Sequence, residues 1–457
     1  MNRTLAAVAA ACGGHLQGAD RAFAAVSSDT RTISSGDLFV ALQGPRFDGH
    51  DFLDACMRAG AAGAIVSRPL AIQLPQVIVK DTLTALTALA RGWRAQFTLP
   101  LVGVAGSNGK TTVKEMTASI LGRMGPCLAT RGNLNNHIGV PLTLMRLDAT
   151  HRTAVIEMGA NRAGDVSALA EIARPTVGLI TNAGAEHLEG FGSLEGVARA
   201  EGEMVSSLEQ SATAVINADD AYAPLWRRMS NAGRTLTFGL WPQADFRATE
   251  ITQALDADGT SLSFRLHTAS AQVAVRLGLA GRHNVVNALA AAAAAHAAGA
   301  SLEALVSGLA SVREVKGRLQ RIAAANGCWL IDDSYNANPS SVRVALELLR
   351  ELEGLRWLVL ADMAELGEYA ERSHTEAGTL ARESGVSRLF AAGPLSAHAA
   401  EAFGRGAEWF PDVEALTRRL TAEIQPNVTI LIKGSRMNRL ERVVEALTSI
   451  ASTAQAG

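Results

Sequence analysis

The sequence predicts an α/β protein of three domains, from its length, a glycine-rich turn set between a buried strand and a helix, and three separate starts of alternating strand and helix. At 457 residues the chain is about three times a typical ~150-residue domain, so several cores, with clefts between them, are expected. The expected division is a small N-terminal α/β domain over 1–82, a central, mainly parallel-sheet domain over 83–314 and a C-terminal βα domain over 315–457. A composition of 48% hydrophobic and 19% charged residues, with 42 Gly against 13 Pro, excludes an extended disordered chain and a collagen-like one.

Between residues 27 and 80, short apolar runs at 37–42, 64–66 and 77–79 alternate with polar turns and one helical stretch over 52–59, the pattern of a small α/β module. Leu83, Leu86, Leu89 and Trp93 then recur at helical spacing, and Pro100 closes that segment. Leu101-Val102-Gly103-Val104-Ala105 reads as a buried strand leading through a glycine-rich turn into a helix over 111–124, the order that opens a nucleotide-binding sheet. Apolar runs at 153–156, 177–180 and 214–216 follow, spaced by helical segments as parallel strands require, and an alanine-rich helix is expected over 284–298. After Val315-Lys316-Gly317-Arg318 the pattern restarts, with strands expected at 329–332, 357–360, 388–390 and 429–432.

With 42 basic and 44 acidic residues the net charge is -2, which leaves no electrostatic footprint for nucleic acid or an anionic membrane. Any anionic ligand must be bound locally. Cys12, Cys56, Cys127 and Cys328 lie far apart without C-x-x-C spacing, so reduced thiols are expected rather than a zinc knuckle or a disulfide framework. The start, Met1-Asn2-Arg3 before an alanine-rich run over 5–12, is too weakly apolar for a secretory signal. The bland stretch 288–300 contains His296 and falls short of the ~20 apolar residues of a membrane helix. A cytoplasmic chain without stable membrane insertion is expected.

The strongest motif is Gly106-Ser107-Asn108-Gly109-Lys110-Thr111-Thr112, between strand and helix. Backbone N–H groups of such a P-loop cradle phosphate oxygens, Lys110 reaches the β- and γ-phosphates, and the Thr111 hydroxyl suits Mg²⁺. It is a variant, with Val104 where the standard pattern has its first glycine. Kinases, ATPases and ligases all use such a loop, so other residues must settle the reaction. Glu157 closes the next buried strand and His187 follows the third, which places two metal-capable side chains on one sheet edge. Gly132-Asn133-Leu134-Asn135-Asn136-His137 reads as an ordered loop over the nucleotide site or as a plain turn. In Gly281-Arg282-His283-Asn284-Val285-Val286-Asn287, which opens a helix, Asn284 and Asn287 are expected to cap it. Asp332-Asp333-Ser334-Tyr335-Asn336-Ala337-Asn338-Pro339 reads as a turn cluster after a strand, and Lys433-Gly434-Ser435-Arg436 suits an anion.

In this order the segments resemble the Mur ligase family, the ATP-dependent amide-forming enzymes that build the peptide stem of peptidoglycan. Ser28-Asp29-Thr30-Arg31, Leu38-Phe39-Val40-Ala41-Leu42-Gln43-Gly44, Phe47-Asp48-Gly49-His50, Leu188-Glu189-Gly190-Phe191-Gly192-Ser193 and Asp362-Met363-Ala364-Glu365-Leu366-Gly367 are, with the segments above, most similar to one branch. That branch joins D-alanyl-D-alanine to UDP-N-acetylmuramoyl-tripeptide. The resemblance implies an N-terminal UDP-binding domain with Ser28, Arg31 and Gly44 near the UDP, a central P-loop ATPase domain, and a C-terminal Rossmann-like domain closing over ATP and the incoming dipeptide. It implies catalytic roles for Lys110, Glu157 and His187, with Thr111 and Glu157 at a first Mg²⁺ and His187 at a second. His283, Asn284 and Asn287 would hold adenine, Arg318 and Asn336 would reach ATP from the C-terminal side, and Asn135, Asn136, Tyr335 and Lys433 would face substrate. A monomer is expected.

One departure stands out. Family members usually carry a carbamylated lysine in a pattern like Ala-Lys-Gly-Glu after the His187 segment, whereas this chain reads Ala198-Arg199-Ala200-Glu201-Gly202-Glu203. Glu201 keeps the negative charge on a shorter stem and is expected to serve the second Mg²⁺ through water. Two other readings remain. One is a regulator that binds nucleotide and a cell-wall precursor without joining them. The other is a ligase like folylpolyglutamate synthase, which lacks a module like residues 27–80.

Overall fold

Runs such as Leu101–Ala105 and Val177–Ile180 are buried at every position, because helices cover both faces of the sheet they build. The computed structural model describes residues 3–45, 47–256, 259–324 and 327–454; Met1 and Asn2, at the basic start of the chain, lie outside them. Three α/β domains follow one another along the chain, each with its own sheet.

The first sheet has the order His15–Gln17, Gln76–Ile78, Gly63–Val66, Leu38–Val40, Val26–Ser27, parallel except at its His15–Gln17 edge. A two-stranded ribbon, Gln43–Gly44 with Phe47–Asp48, lies apart from it. The helix Thr82–Arg94, capped by the Asp81 carboxylate on the Thr84 N–H, packs on Leu5–Cys12 and also on Gly139–Leu144 and Asp165–Ala173. Thr82 Oγ1 donates to Ala41 O and Arg94 Nε to Ala173 O, at 2.9 and 2.8 Å. Helix and apolar core therefore run across the junction between the first two domains, with Leu86 and Leu89 buried in a cluster that includes Ile65 and Leu101.

Among the described residues the central sheet has nine strands. Cys127–Ala129, Thr153–Glu157, Leu101–Ala105, Val177–Ile180, Thr213–Asn217 and Arg234–Gly239 are parallel in that order; Phe246–Asp256 continues the direction, and Gly259–His267 and Gln272–Leu277 add antiparallel edges. The antiparallel extension departs from the simple βαβ reading. Its strands alternate exposed and buried positions, as Gln272–Leu277 does, so they lack the continuous apolar runs that mark the inner strands. The alanine-rich helix His283–Ala297 lies against the P-loop helix Lys110–Leu121, and its buried alanines at 288 and 290–295 permit that close packing.

The third sheet runs Gln320–Ala323, Trp329–Asp333, Val428–Lys433, Leu355–Ala361, Arg388–Ala392, Ala407–Phe410, with its first strand antiparallel and the rest parallel. Carboxyl ends of the central and third sheets open into one cleft. Among the described residues no helix is long and apolar enough to cross a membrane.

Candidate active site

The P-loop joins Leu101–Ala105 to the helix Lys110–Leu121 and needs glycine at two points. Gly106 and Gly109 have φ of +120° and +81°, and a Cβ would lie 2.1 Å from Thr181 Oγ1 at the first and 2.6 Å from Asn287 Oδ1 at the second. The neighbouring 181–184 turn holds the loop: Asn182 accepts from the Asn108 N–H at 3.0 Å, and Thr181 Oγ1 donates to Asn108 O at 2.7 Å. Lys110 folds back onto the loop, donating to the carbonyls of Gly106 and Ser107 and to Glu186. Burial opposes its charge, but Glu186, Glu201 and Glu157 outweigh burial and hold its pKa above the ordinary lysine value. In the described structure the ammonium is thus surrounded by carboxylates.

Glu157 ends the strand Thr153–Glu157 and is 2% exposed. Its Oε1 accepts from Asn135 Nδ2 at 2.8 Å, while its Oε2 is buried without a hydrogen-bond partner. A buried, unpaired carboxylate oxygen lining the same cleft as the Thr111 hydroxyl fits a hard divalent cation such as Mg²⁺. Among the described residues no three His, Cys, Asp or Glu side chains already cluster as a metal centre. His187, in the left-handed region at φ +48°, lies at the domain seam and pairs through Nδ1 with Glu365 of the C-terminal domain.

Glu201 faces the P-loop backbone. It is 1% exposed, absent from the cleft lining, and its Oε2 accepts the Gly106 N–H at 2.6 Å. Burial pushes its pKa up to about 7 against the opposing pull of Lys110. Glu203, two residues on, accepts the Gly164 and Ser167 N–H groups at 2.7 and 3.1 Å, satisfying the start of the helix Asp165–Ala173, whose N-cap glycine has no side chain to do so. Glu203→Ala is expected to lower stability by about 1 kcal/mol, seen as a lower urea midpoint, because it strands those two amides.

From the C-terminal side Arg318 Nη2 donates to Thr111 Oγ1 at 2.9 Å and its guanidinium lies 4.5 Å from the Tyr335 ring centroid. Asn338 Nδ2 donates to Asn108 Oδ1 at 2.9 Å. Asn336 is exposed at the cleft, and its carbonyl accepts from Lys433, whose buried ammonium also pairs with Asp333 at 2.5 Å. Asn284 and Asn287 do not cap their helix as the sequence suggests. Asn284 Nδ2 donates back to Ala280 O at 2.6 Å, and Asn287 Nδ2 donates to Asn284 Oδ1 at 3.0 Å, which leaves Asn287 Oδ1 beside Gly109. Asn136 Oδ1 accepts from the Gly139 N–H at 2.9 Å at the start of the helix Gly139–Leu144.

His283 lines the cleft, and burial together with the nearby Lys433 charge lowers its pKa to about 4. An unfolded chain takes up this proton near the ordinary value of 6.5, whereas the fold does so only near 4, so His283 costs stability as pH falls through that window. A steeper fall of Tm between pH 7 and 5 is expected for the native protein than for His283→Gln.

Ser28, Arg31 and Gly44 lie outside this cleft, in the N-terminal domain. Arg31 is exposed and pairs with Asp29 at 2.6 Å, holding that carboxyl down at about 2. Glu186, Glu365 and Asn338 enter the site geometry without individual roles read for them in the sequence. Glu186 had a signal, since it stands beside His187 after a buried strand.

Three family descriptions match in order: "Mur ligase family, catalytic domain" over 22–94, "Mur ligase middle domain" over 104–295 and "Mur ligase, glutamate ligase domain" over 317–436. The chain is 47% identical over 439 residues to the UDP-N-acetylmuramoyl-tripeptide--D-alanyl-D-alanine ligase of Escherichia coli strain K12, covering 95% of this chain and 96% of that one. The chain belongs to the Mur ligase family. A second Mur ligase relative, the enzyme of the same name from Bacillus subtilis strain 168, is 33% identical with 92% of each chain covered. Among solved Mur ligase structures, MurF from Acinetobacter baumannii superposes with a TM-score of 0.90 at 35% identity over 98% of this chain and 99% of its own. MurF ligase from Thermotoga maritima, in complex with ADP, does so with 0.81 at 28% identity over 94% and 98%. Folylpolyglutamate synthase from Mycobacterium tuberculosis, at 16% identity and a TM-score of 0.61, shares the fold alone.

Proposed function

We propose that this chain is an ATP-dependent, ADP-forming ligase that joins D-alanyl-D-alanine to UDP-N-acetylmuramoyl-tripeptide, forming the pentapeptide precursor of peptidoglycan. The observation that carries this reading is one cleft of about 910 Å³ in which the P-loop and Glu157 meet Arg318, Tyr335 and Asn338 of the C-terminal domain. End-to-end similarity to ligases of that name supports the choice of substrates.

A carboxylate is a poor electrophile and must first be activated. An oxygen of the tripeptide's terminal carboxylate attacks the γ-phosphorus of ATP, forming an acyl phosphate as the bond to the ADP oxygen breaks. The neutral amine of D-alanyl-D-alanine then attacks the acyl carbon, loses a proton, and expels phosphate carrying the former carboxylate oxygen. Lys110 and the loop amides receive the phosphates, and Arg318 is placed to add positive charge from the opposite domain. Asn135 and Asn136 face the tripeptide, His283, Asn284 and Asn287 hold the adenine, and Asn336, Tyr335 and Lys433 line the side from which ATP and dipeptide are enclosed. Ser28, Arg31 and Gly44 hold the UDP end. Thr111 and Glu157 would hold one Mg²⁺ and His187 a second, which would supply charge neutralisation on the phosphates. The seam contacts Arg318–Thr111, Asn338–Asn108 and His187–Glu365 draw the two domains together, which excludes water from the acyl phosphate. The enzyme acts as a cytoplasmic monomer.

The test is ADP release with each substrate omitted in turn and with a panel of amino-acid and dipeptide acceptors. ADP is expected only with the tripeptide precursor and an acceptor together, fastest with D-alanyl-D-alanine. Nucleotide binding without an amide product would instead identify a regulator.

A further inference from the structure

The peptide groups on both sides of Gly106, the first residue of the P-loop, are gripped. The Gly106 N–H donates to Glu201 Oε2 at 2.6 Å, and the Gly106 carbonyl accepts from the Lys110 ammonium. Gly106 sits at φ +120°, a conformation that few residues other than glycine adopt, so the turn needs external restraint to keep one geometry. Glu201 is built to supply it. Its helix, Leu194–Ser206, is anchored by Trp226, whose indole N–H donates to Ala198 O at 2.8 Å, and Gly202 packs closely against Met229 and Trp226. Glu203 on the same helix is committed to the amides of Gly164 and Ser167, which fixes the turn that carries Glu201. At 1% exposure and outside the cleft lining, the Glu201 carboxylate reaches the loop from behind.

We propose that Glu201 is a positioning residue for the nucleotide: it fixes the Gly106 peptide, and through it the loop amides and Lys110 that receive the phosphates, and it does so by accepting a hydrogen bond rather than by ligating a metal. This rests on the ATP-dependent reading above. Glu201 therefore acts on nucleotide affinity whether or not Mg²⁺ is present, and its essential property is an acceptor atom at the end of a three-carbon reach.

Binding of a fluorescent ADP, with Mg²⁺ and with EDTA, tests this for the native chain, Glu201→Gln and Glu201→Ala, alongside KM for ATP and for D-alanyl-D-alanine. Glu201→Gln keeps an acceptor and is expected to bind ADP within about threefold of the native chain, whereas Glu201→Ala weakens it at least about tenfold in both conditions. KM for ATP rises with it, and KM for the dipeptide stays unchanged. If Glu201→Ala does not fold, Glu201→Leu, which fills much of the space without an acceptor, takes its place in the comparison. Equal loss in the Gln and Ala variants overturns the proposal in favour of the carboxylate's charge, and a loss seen only with Mg²⁺, with affinity unchanged in EDTA, overturns it in favour of a metal ligand. A native chain that binds no ADP would sink the ATP-dependent reading itself, and the role of Glu201 with it.

Discussion

Lys110→Met is expected to lower ADP-forming turnover by at least about a thousandfold while leaving a folded protein. The ammonium is the charge that the loop presents to the transferring phosphoryl group, and three carboxylates, Glu186, Glu201 and Glu157, already press on it. Methionine keeps most of the stem's bulk but leaves those carboxylates without a cation, so the site becomes repulsive to ATP as well as unable to neutralise the transition state. The loss therefore falls on kcat and on KM for ATP together. Turnover within about tenfold of the native rate, in a variant with a native-like thermal transition, would remove Lys110 from the chemistry.

Glu157→Gln should lower kcat by about a hundredfold and raise the Mg²⁺ concentration needed for half-maximal rate. The amide keeps an oxygen to accept from Asn135, so the strand end and its loop stay in place. What changes is Oε2, buried and unpartnered in the described structure, which becomes an NH₂ that cannot bind a cation. A Mg²⁺ titration of initial rates separates this from general damage. An unchanged Mg²⁺ requirement at reduced kcat would remove Glu157 from the metal site.

Features set by local sequence were legible in advance. The P-loop needs only a strand, two glycines and a helix within a short span, and its lysine and threonine occupy fixed places in that span. Glu157 could be placed because it closes a continuously apolar run, and His187 because its turn follows another at the same sheet edge. Contacts between distant segments had no comparable signal: Gly106 with Glu201 is separated by 95 residues, Thr111 with Arg318 by 207, and Asn108 with Asn338 by 230. The pattern around Glu201 locates a carboxylate in the family's lysine position, yet only the packing of Leu194–Ser206 aims it at a backbone amide. Asn284 and Asn287 carry cap-forming side chains near a helix start, but the helix begins at His283 with Arg282 at the cap position, which puts both asparagines inside it. The junction near residue 82 has the same character. A boundary follows from composition, whereas the helix Thr82–Arg94 shares its apolar face with both neighbours.

The most direct test of the reaction follows one oxygen atom. With the terminal carboxylate of UDP-N-acetylmuramoyl-tripeptide labelled with ¹⁸O, the inorganic phosphate formed during ligation to D-alanyl-D-alanine is predicted to carry one ¹⁸O, read by mass spectrometry alongside ADP. Unlabelled phosphate at the same extent of amide formation, or AMP and pyrophosphate in place of ADP, would contradict activation of the carboxylate as an acyl phosphate.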